Sequence, residues 1–217
     1  PVTSANNWTT SKTPSLAAKP PQEINHMVQH HADDPWTRVT TAHGLQADEV
    51  ISAFQKEIRR GNVENAALLA CEMMVTSTEL EAFMWFRLQV ISVEDIGYGN
   101  PNAPVLVDTL YRMHQRIPRP HGDRYLMAIH AVRILCESQK ERGSDDLKNW
   151  AFNALENDHL PHIPDYALDM HTQRGQEMER DFYHFLTEAA KVMPEMPDRD
   201  RTYLDQLIAQ AKEDRDA

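Results

Sequence analysis

The residues with most chemical promise sit together in Ser92-Val93-Glu94-Asp95-Ile96-Gly97, where two adjacent carboxylates close the last turn of an apolar segment. The negative end of a helix dipole disfavours anions at that point, so Glu94 and Asp95 need compensation. Arginine partners would make a structural ion-pair knot, with Arg59, Arg60, Arg87 or Arg112 as candidates. The sharper chemistry would be a carboxylate pair for acid/base work or for a divalent cation, but no companion motif accompanies it. The expectation is therefore a structural motif of Glu94, Asp95, Arg59 and Arg87, with no catalytic residue and no metal.

Three other groups invite a chemical reading. The stretch NDHLPHIPDYALDMHTQRG holds His159, His162, Asp165, His171 and Arg174, with Asp169 and Tyr166 between them. It is a candidate loop site, set against a hydrogen-bonded connection that docks the C-terminal helices. His26 and His30 stand four apart, with His31, Asp33 and Asp34 following, a spacing that chelates metal if the segment is helical. Solvated polar residues are the expected reading there. Finally, Arg112, Arg116, Arg119 and Arg124 gather within 13 positions that hold one aspartate, Asp123. They are candidate contacts for nucleic acid or for an acidic partner, although a solvated helix end would carry the same pattern.

Composition narrows these choices. The net charge is −11, and only residues 98–150 carry a basic excess, so general attraction to phosphate is excluded. None of the seven glycines falls in a GxxxxGK[ST] or GxGxxG pattern, and the Gly-x-Ser-x-Gly, Cys-x-x-Cys and His-Glu-x-x-His signatures are missing. No nucleotide cofactor is expected by those routes. Two distant cysteines, Cys71 and Cys136, make no disulfide framework. No apolar run is long enough to span a membrane and no export signal is present, so a cytoplasmic protein is expected.

The elements that must position these residues are helical. Few glycines and long Ala/Leu/Glu/Met-rich stretches predict an all-α fold. Residues 1–45 read as a flexible arm with a short helix at 23–32 that ends before Asp34-Pro35. Residues 46–156 read as six helices. Val50, Phe54 and Ile58 mark the first, which Gly61 stops, and Ala66, Leu69, Ala70 and Met73 mark the second, capped by Asn62. The third starts with a capping box on Thr78 and Glu81. Its two stripes, Leu80/Phe83/Met84/Leu88/Ile91 and Phe86/Val90/Val93, predict a helix buried on two faces. The fourth carries Val105, Leu106, Leu110 and Met113, the fifth Leu126, Ile129, Val132, Leu135 and Cys136, and the sixth runs from Asp145 to Glu156. Residues 157–217 form a loop plus a helical extension, with one amphipathic face from Met178 through Phe182, Phe185 and Leu186 to Met193 and a last helix at 199–213.

The segments ISAFQKEIRRGNVENAALLACEMM and LEAFMWFRLQVISVEDIGYGNP resemble the C-terminal region of the MgsA/RarA type of clamp-loader-like AAA+ ATPases. Lys56, Arg59, Gly61, Ala66, Ala67, Arg87, Leu88, Ser92, Glu94, Asp95, Ile96 and Gly97 stand at the matching positions. The resemblance covers about residues 48–150 and departs at Pro120-His121 and at Ser138-Gln-Lys-Glu-Arg. It implies an orthogonal helical bundle like the clamp-loader collar, without the ATPase module. It also implies a homo-oligomer, a tetramer by that likeness, and partners in DNA replication, recombination or repair. The function expected is a non-enzymatic oligomerisation or protein-interaction module. The alternatives are a metal-dependent or nucleotide-processing helical enzyme that joins Glu94 and Asp95 to the 159–171 loop, and weak single-stranded DNA contact through the 112–124 arginines, with Tyr111 or Trp85 stacking on bases.

Overall fold

The computed structural model describes residues 34–216, and the histidines at 26, 30 and 31 with the helix expected at 23–32 lie outside them. Among the described residues the fold is all-α, without a strand; a single antiparallel bridge joins Thr40 to Gln46. The chain forms two compact units, one ending at Asp145 and the other running from Asp146.

In the first unit a 3-10 turn at Pro35–Arg38 leads the chain in, and the Asp34 carboxylate accepts from the Trp36 N–H to start it. Helices α1 (Ala47–Arg60), α2 (Val63–Thr76), α3 (Thr78–Ile91), α4 (Ala103–Gln115) and α5 (Gly122–Glu137) follow. α1 packs on α2, α2 on α5, and α5 on α4. The core they close contains Phe54, Ile58, Met73, Leu80, Met84, Trp85, Leu88, Ile91, Val132 and Leu135. Each large side chain removed from water this way contributes about 1.5–3 kcal/mol.

The helix ends follow local chemistry. Gly61 takes a left-handed φ of 76° and closes α1, its N–H bonding to the Ile58 carbonyl while that of Asn62 bonds to Glu57. Asn62 occupies the N-cap of α2 but makes no side-chain cap bond. The cap of α3 is Ser77 rather than Thr78. Ser77 is extended (φ −160°, ψ 165°) and its hydroxyl accepts from the Leu80 N–H at 3.1 Å, whereas Thr78 is already helical. Lys140 finishes α5, its ammonium donating to the carbonyls of Leu135, Cys136 and Ser138. Burial lowers its pKa.

Three expected apolar faces differ from the structure. α3 buries only one side, and Phe86 and Val93 remain about half exposed because no described helix covers that stripe. α4 buries Ala103, Val107, Leu110 and His114, and leaves Val105, Leu106 and Met113 toward water. The fifth helix likewise exposes Leu126.

Helix α6 (Gly143–Glu156) begins two residues before Asp145, because the Glu141 carboxylate accepts from the Gly143 N–H at 2.6 Å. In the second unit the face expected from Met178 to Met193 is broken. α7 (Gln173–Glu177) ends before Glu179, which is left-handed at φ 54°. Asp181 then caps α8 (Phe182–His184), which runs into a π-turn at Phe185–Ala189. α9 spans Thr202–Asp216. Leu186 of the π-turn and Ala211 of α9 are the buried hydrophobic residues among the described residues of this unit, which therefore rests on a small core.

Candidate functional site

The turn Ser92–Ile96 is a π-helix, one residue wider than an α-turn, and it lets Asp95 and Ile96 both sit buried at the end of α3. Gly97 leaves it at φ 50°, ψ −131°, and a Cβ there would lie 2.5 Å from the Glu141 carbonyl oxygen. Only glycine fits this exit. The chain from 138 to 142 lies against it: the Glu141 N–H bonds to the Asp95 carbonyl, and the Glu141 carboxylate accepts from the Tyr98 N–H.

Asp95 is fully buried, and its carboxylate is held by the Arg59 Nε at 2.5 Å, by the Gln55 amide at 3.1 Å, and by the Arg142 guanidinium. Glu94 Oε1 accepts from Gln55 at 3.0 Å, and from Arg59 and Arg142 at 3.2 Å each. Arg87 lies 3.9 Å from the other Glu94 oxygen and donates to the side-chain Oε1 of Gln55. Arg142 turns its remaining nitrogen to Asp145 at 2.5 Å. Burial weighs against the Arg142 cation, but its hydrogen bonds to Asp95 and Glu94 overcome it and raise its pKa. Arg59, Arg87 and Arg142 thus face Glu94, Asp95 and Asp145, three charges of each sign. Each carboxylate oxygen of Asp95 is engaged by a cation or an amide, an arrangement that ties α1, α3 and the start of α6 together.

Arg59 and Arg87, named from the sequence, are in this cluster. Arg60 instead bonds to the Lys56 carbonyl and Arg112 to Asp108. Sequence reasoning missed Gln55 and Arg142. Gln55 is one turn before Arg59 on the same face of α1, which was a usable signal. Arg142 lies in the segment where the sequence departs from the family pattern, and nothing local pointed to it.

The arginines expected to form one basic patch divide. Arg112 and Arg116 are exposed. Arg119 and Arg124 turn inward onto Glu81, an α3 carboxylate that is almost fully buried, at 2.7 and 2.8 Å. Arg124 also donates to the His114 and Ile117 carbonyls, and Arg119 to that of Met74. Their guanidiniums secure the α4–α5 connection, so the surface patch is reduced by half. His114 completes this second cluster: its Nδ1 is 3.1 Å from the Arg124 carbonyl, its Nε2 3.1 Å from Glu81 Oε1, and its ring packs on Trp85. A carbonyl only accepts, so Nδ1 carries the hydrogen. Burial lowers the pKa of His114. The capping-box role expected of Glu81 is not met, because its carboxylate turns inward to Arg119, Arg124 and His114 instead of back to the helix start, and no sequence motif singled out His114.

The 159–171 loop residues do not converge. His159 lies edge-on to Trp150, Asp165 forms a two-pronged pair with Arg180, and His171 bonds to Asp169. The His171 backbone N–H, then its ring, holds the Asp169 carboxyl below its usual range. His162 and Arg174 are exposed. Among the described residues, no three His, Cys, Asp or Glu side chains gather as a metal site would require. No described helix is long and apolar enough to cross a membrane.

Fold and site together define an all-α module whose charged groups clamp its helices to one another. The chain belongs to the family described as MgsA AAA+ ATPase C terminal, which matches residues 61–210. That match starts after α1 and runs 60 residues past position 150, taking in the bundle from α2 onward and reaching into α9. No curated protein matches the chain.

Proposed function

We propose that this chain is a non-enzymatic helical module that assembles with copies of itself, associated with an AAA+ ATPase that acts in DNA replication, recombination or repair. The family supports the ATPase association. The observation that carries the assembly reading is α6. This helix has no buried residue, and Leu147, Trp150 and Leu155 are 63, 61 and 52% exposed. They recur at i, i+3 and i+8, the spacing of one apolar stripe, with Ala151 and Ala154 on the same side. An amphipathic stripe with a Trp at its middle is what a helix-to-helix contact between subunits uses, and a symmetric pairing would cover it on both copies at once.

The charged clusters fit a supporting role in this reading. Glu94, Asp95 and Glu81 are neutralised by arginines within the bundle, so they hold helices in place instead of meeting a substrate. Sedimentation velocity on the intact chain and on a Leu147→Glu, Trp150→Glu variant tests the proposal. The wild-type chain is expected to sediment as an oligomer and the variant as a monomer with an unchanged helical spectrum. An oligomer indifferent to both substitutions would remove α6 from the interface.

A further inference from the structure

The second unit contains a cavity of about 770 Å³ between the Phe185–Ala189 turn, the 190–201 segment and α9. That is within the range of small-molecule sites, which are concave, mostly apolar and marked by a few polar groups. Leu186, Leu204 and Ile208 form its apolar lining, with the Tyr166 ring and Val192 beside them. Arg199 and Arg201 stand among its lining residues, and both address one oxygen of Glu195, Arg199 at 2.5 Å and Arg201 at 3.6 Å, while Arg201 also pairs with Asp205 at 3.4 Å through its other terminal nitrogen. The Glu195 side chain is 37% exposed and comes from the loop, not from a helix. Two guanidiniums converging on one loop carboxylate beside an apolar hollow define where an anionic head group is complementary to the protein.

We propose that this cavity binds a small monoanionic carboxylate with an aliphatic tail, its head group replacing the Glu195 carboxylate between Arg199 and Arg201 and its tail lying on Leu186, Leu204 and Ile208. The carboxylate is favoured over other anions because a carboxylate already occupies the arginine pair. Lys191, also in the lining, is paired with Glu188 at 2.9 Å. Glu195 is then an internal competitor, an arrangement that makes a specific and unusual demand: removing an acidic residue must tighten binding, and removing the arginines must weaken it.

The test is a titration of the intact chain with decanoate, followed by calorimetry and by the methyl signals of Leu186, Val192, Leu204 and Ile208. Binding is expected to shift those signals. Glu195→Ala should tighten it several-fold, and Arg199→Ala combined with Arg201→Ala should weaken it by about fivefold, the scale of a partly exposed ion pair. Decanol, which lacks the charge, should bind more weakly than decanoate, and decyl phosphate no more tightly. Because the Glu195 and arginine variants must move in opposite directions, a general loss of structure cannot imitate the result. The proposal is overturned if decanoate leaves these methyls unmoved, if decanol binds as well, if decyl phosphate binds better, or if Glu195→Ala fails to tighten binding.

Discussion

At the scale of single residues the chain is governed by buried carboxylates. Asp95 is the strictest case, since it is fully buried while Arg59 and Arg142 each retain about a third of their exposure. Asp95→Ala removes the one fully buried carboxylate and leaves three guanidiniums, those of Arg59, Arg87 and Arg142, facing only Glu94 and Asp145. The expected loss is about 3 kcal/mol, the low end for breaking a buried pair, measured as a reduced urea midpoint. His114 gives a pH signature. Burial, with Arg124 and Arg119 acting in the same sense, holds its imidazole below the ordinary value of 6.5, against the Arg124 carbonyl and the Glu81 carboxylate. The unfolded chain therefore takes up this proton at a higher pH than the folded one. Stability from this group is present above 6.5 and is lost as the pH falls from there through the folded pKa. Urea midpoints are expected to fall as the pH drops below 6.5. The fall should be smaller in His114→Gln, and an equal fall in both would assign the effect to other groups.

At the scale of elements, the widened turn at Ser92–Ile96 and its exit at Gly97 decide whether the acidic pair reaches α1. Gly97→Ala combines a positive φ with a Cβ 2.5 Å from a backbone oxygen. A loss of about 1–3 kcal/mol is expected in chemical denaturation, and a neutral result would mean that the 138–142 segment moves aside readily. Helix periodicity made the bundle legible: Val50, Phe54 and Ile58 of α1 and Ala66, Ala70 and Met73 of α2 are buried as their spacing predicts. It failed where a stripe has no partner, as with Phe86 and Val93, because spacing reports amphipathicity and not what lies opposite. It failed again at Glu179, where a left-handed residue interrupts a run whose apolar positions look continuous. The acidic pair and two of its cations were readable from residue type, but Arg142 was not. Its approach depends on how the 138–142 segment folds back on Gly97, a tertiary contact without a local signature.

At the scale of the molecule, the contrast lies between a first unit with a closed core and a second unit with little buried apolar surface. α6 carries its large apolar side chains in the open, and that surface is the reason for reading the chain as an assembly module. The family match covers the bundle from α2 onward and most of the C-terminal helices, so it extends over both units. The most direct measurement is the molar mass in solution by multi-angle light scattering over a range of micromolar concentrations. The account predicts a mass that is a whole multiple of 24.9 kDa at the upper end, falling toward 24.9 kDa on dilution only as the subunits separate. A mass of 24.9 kDa held throughout that range would contradict it.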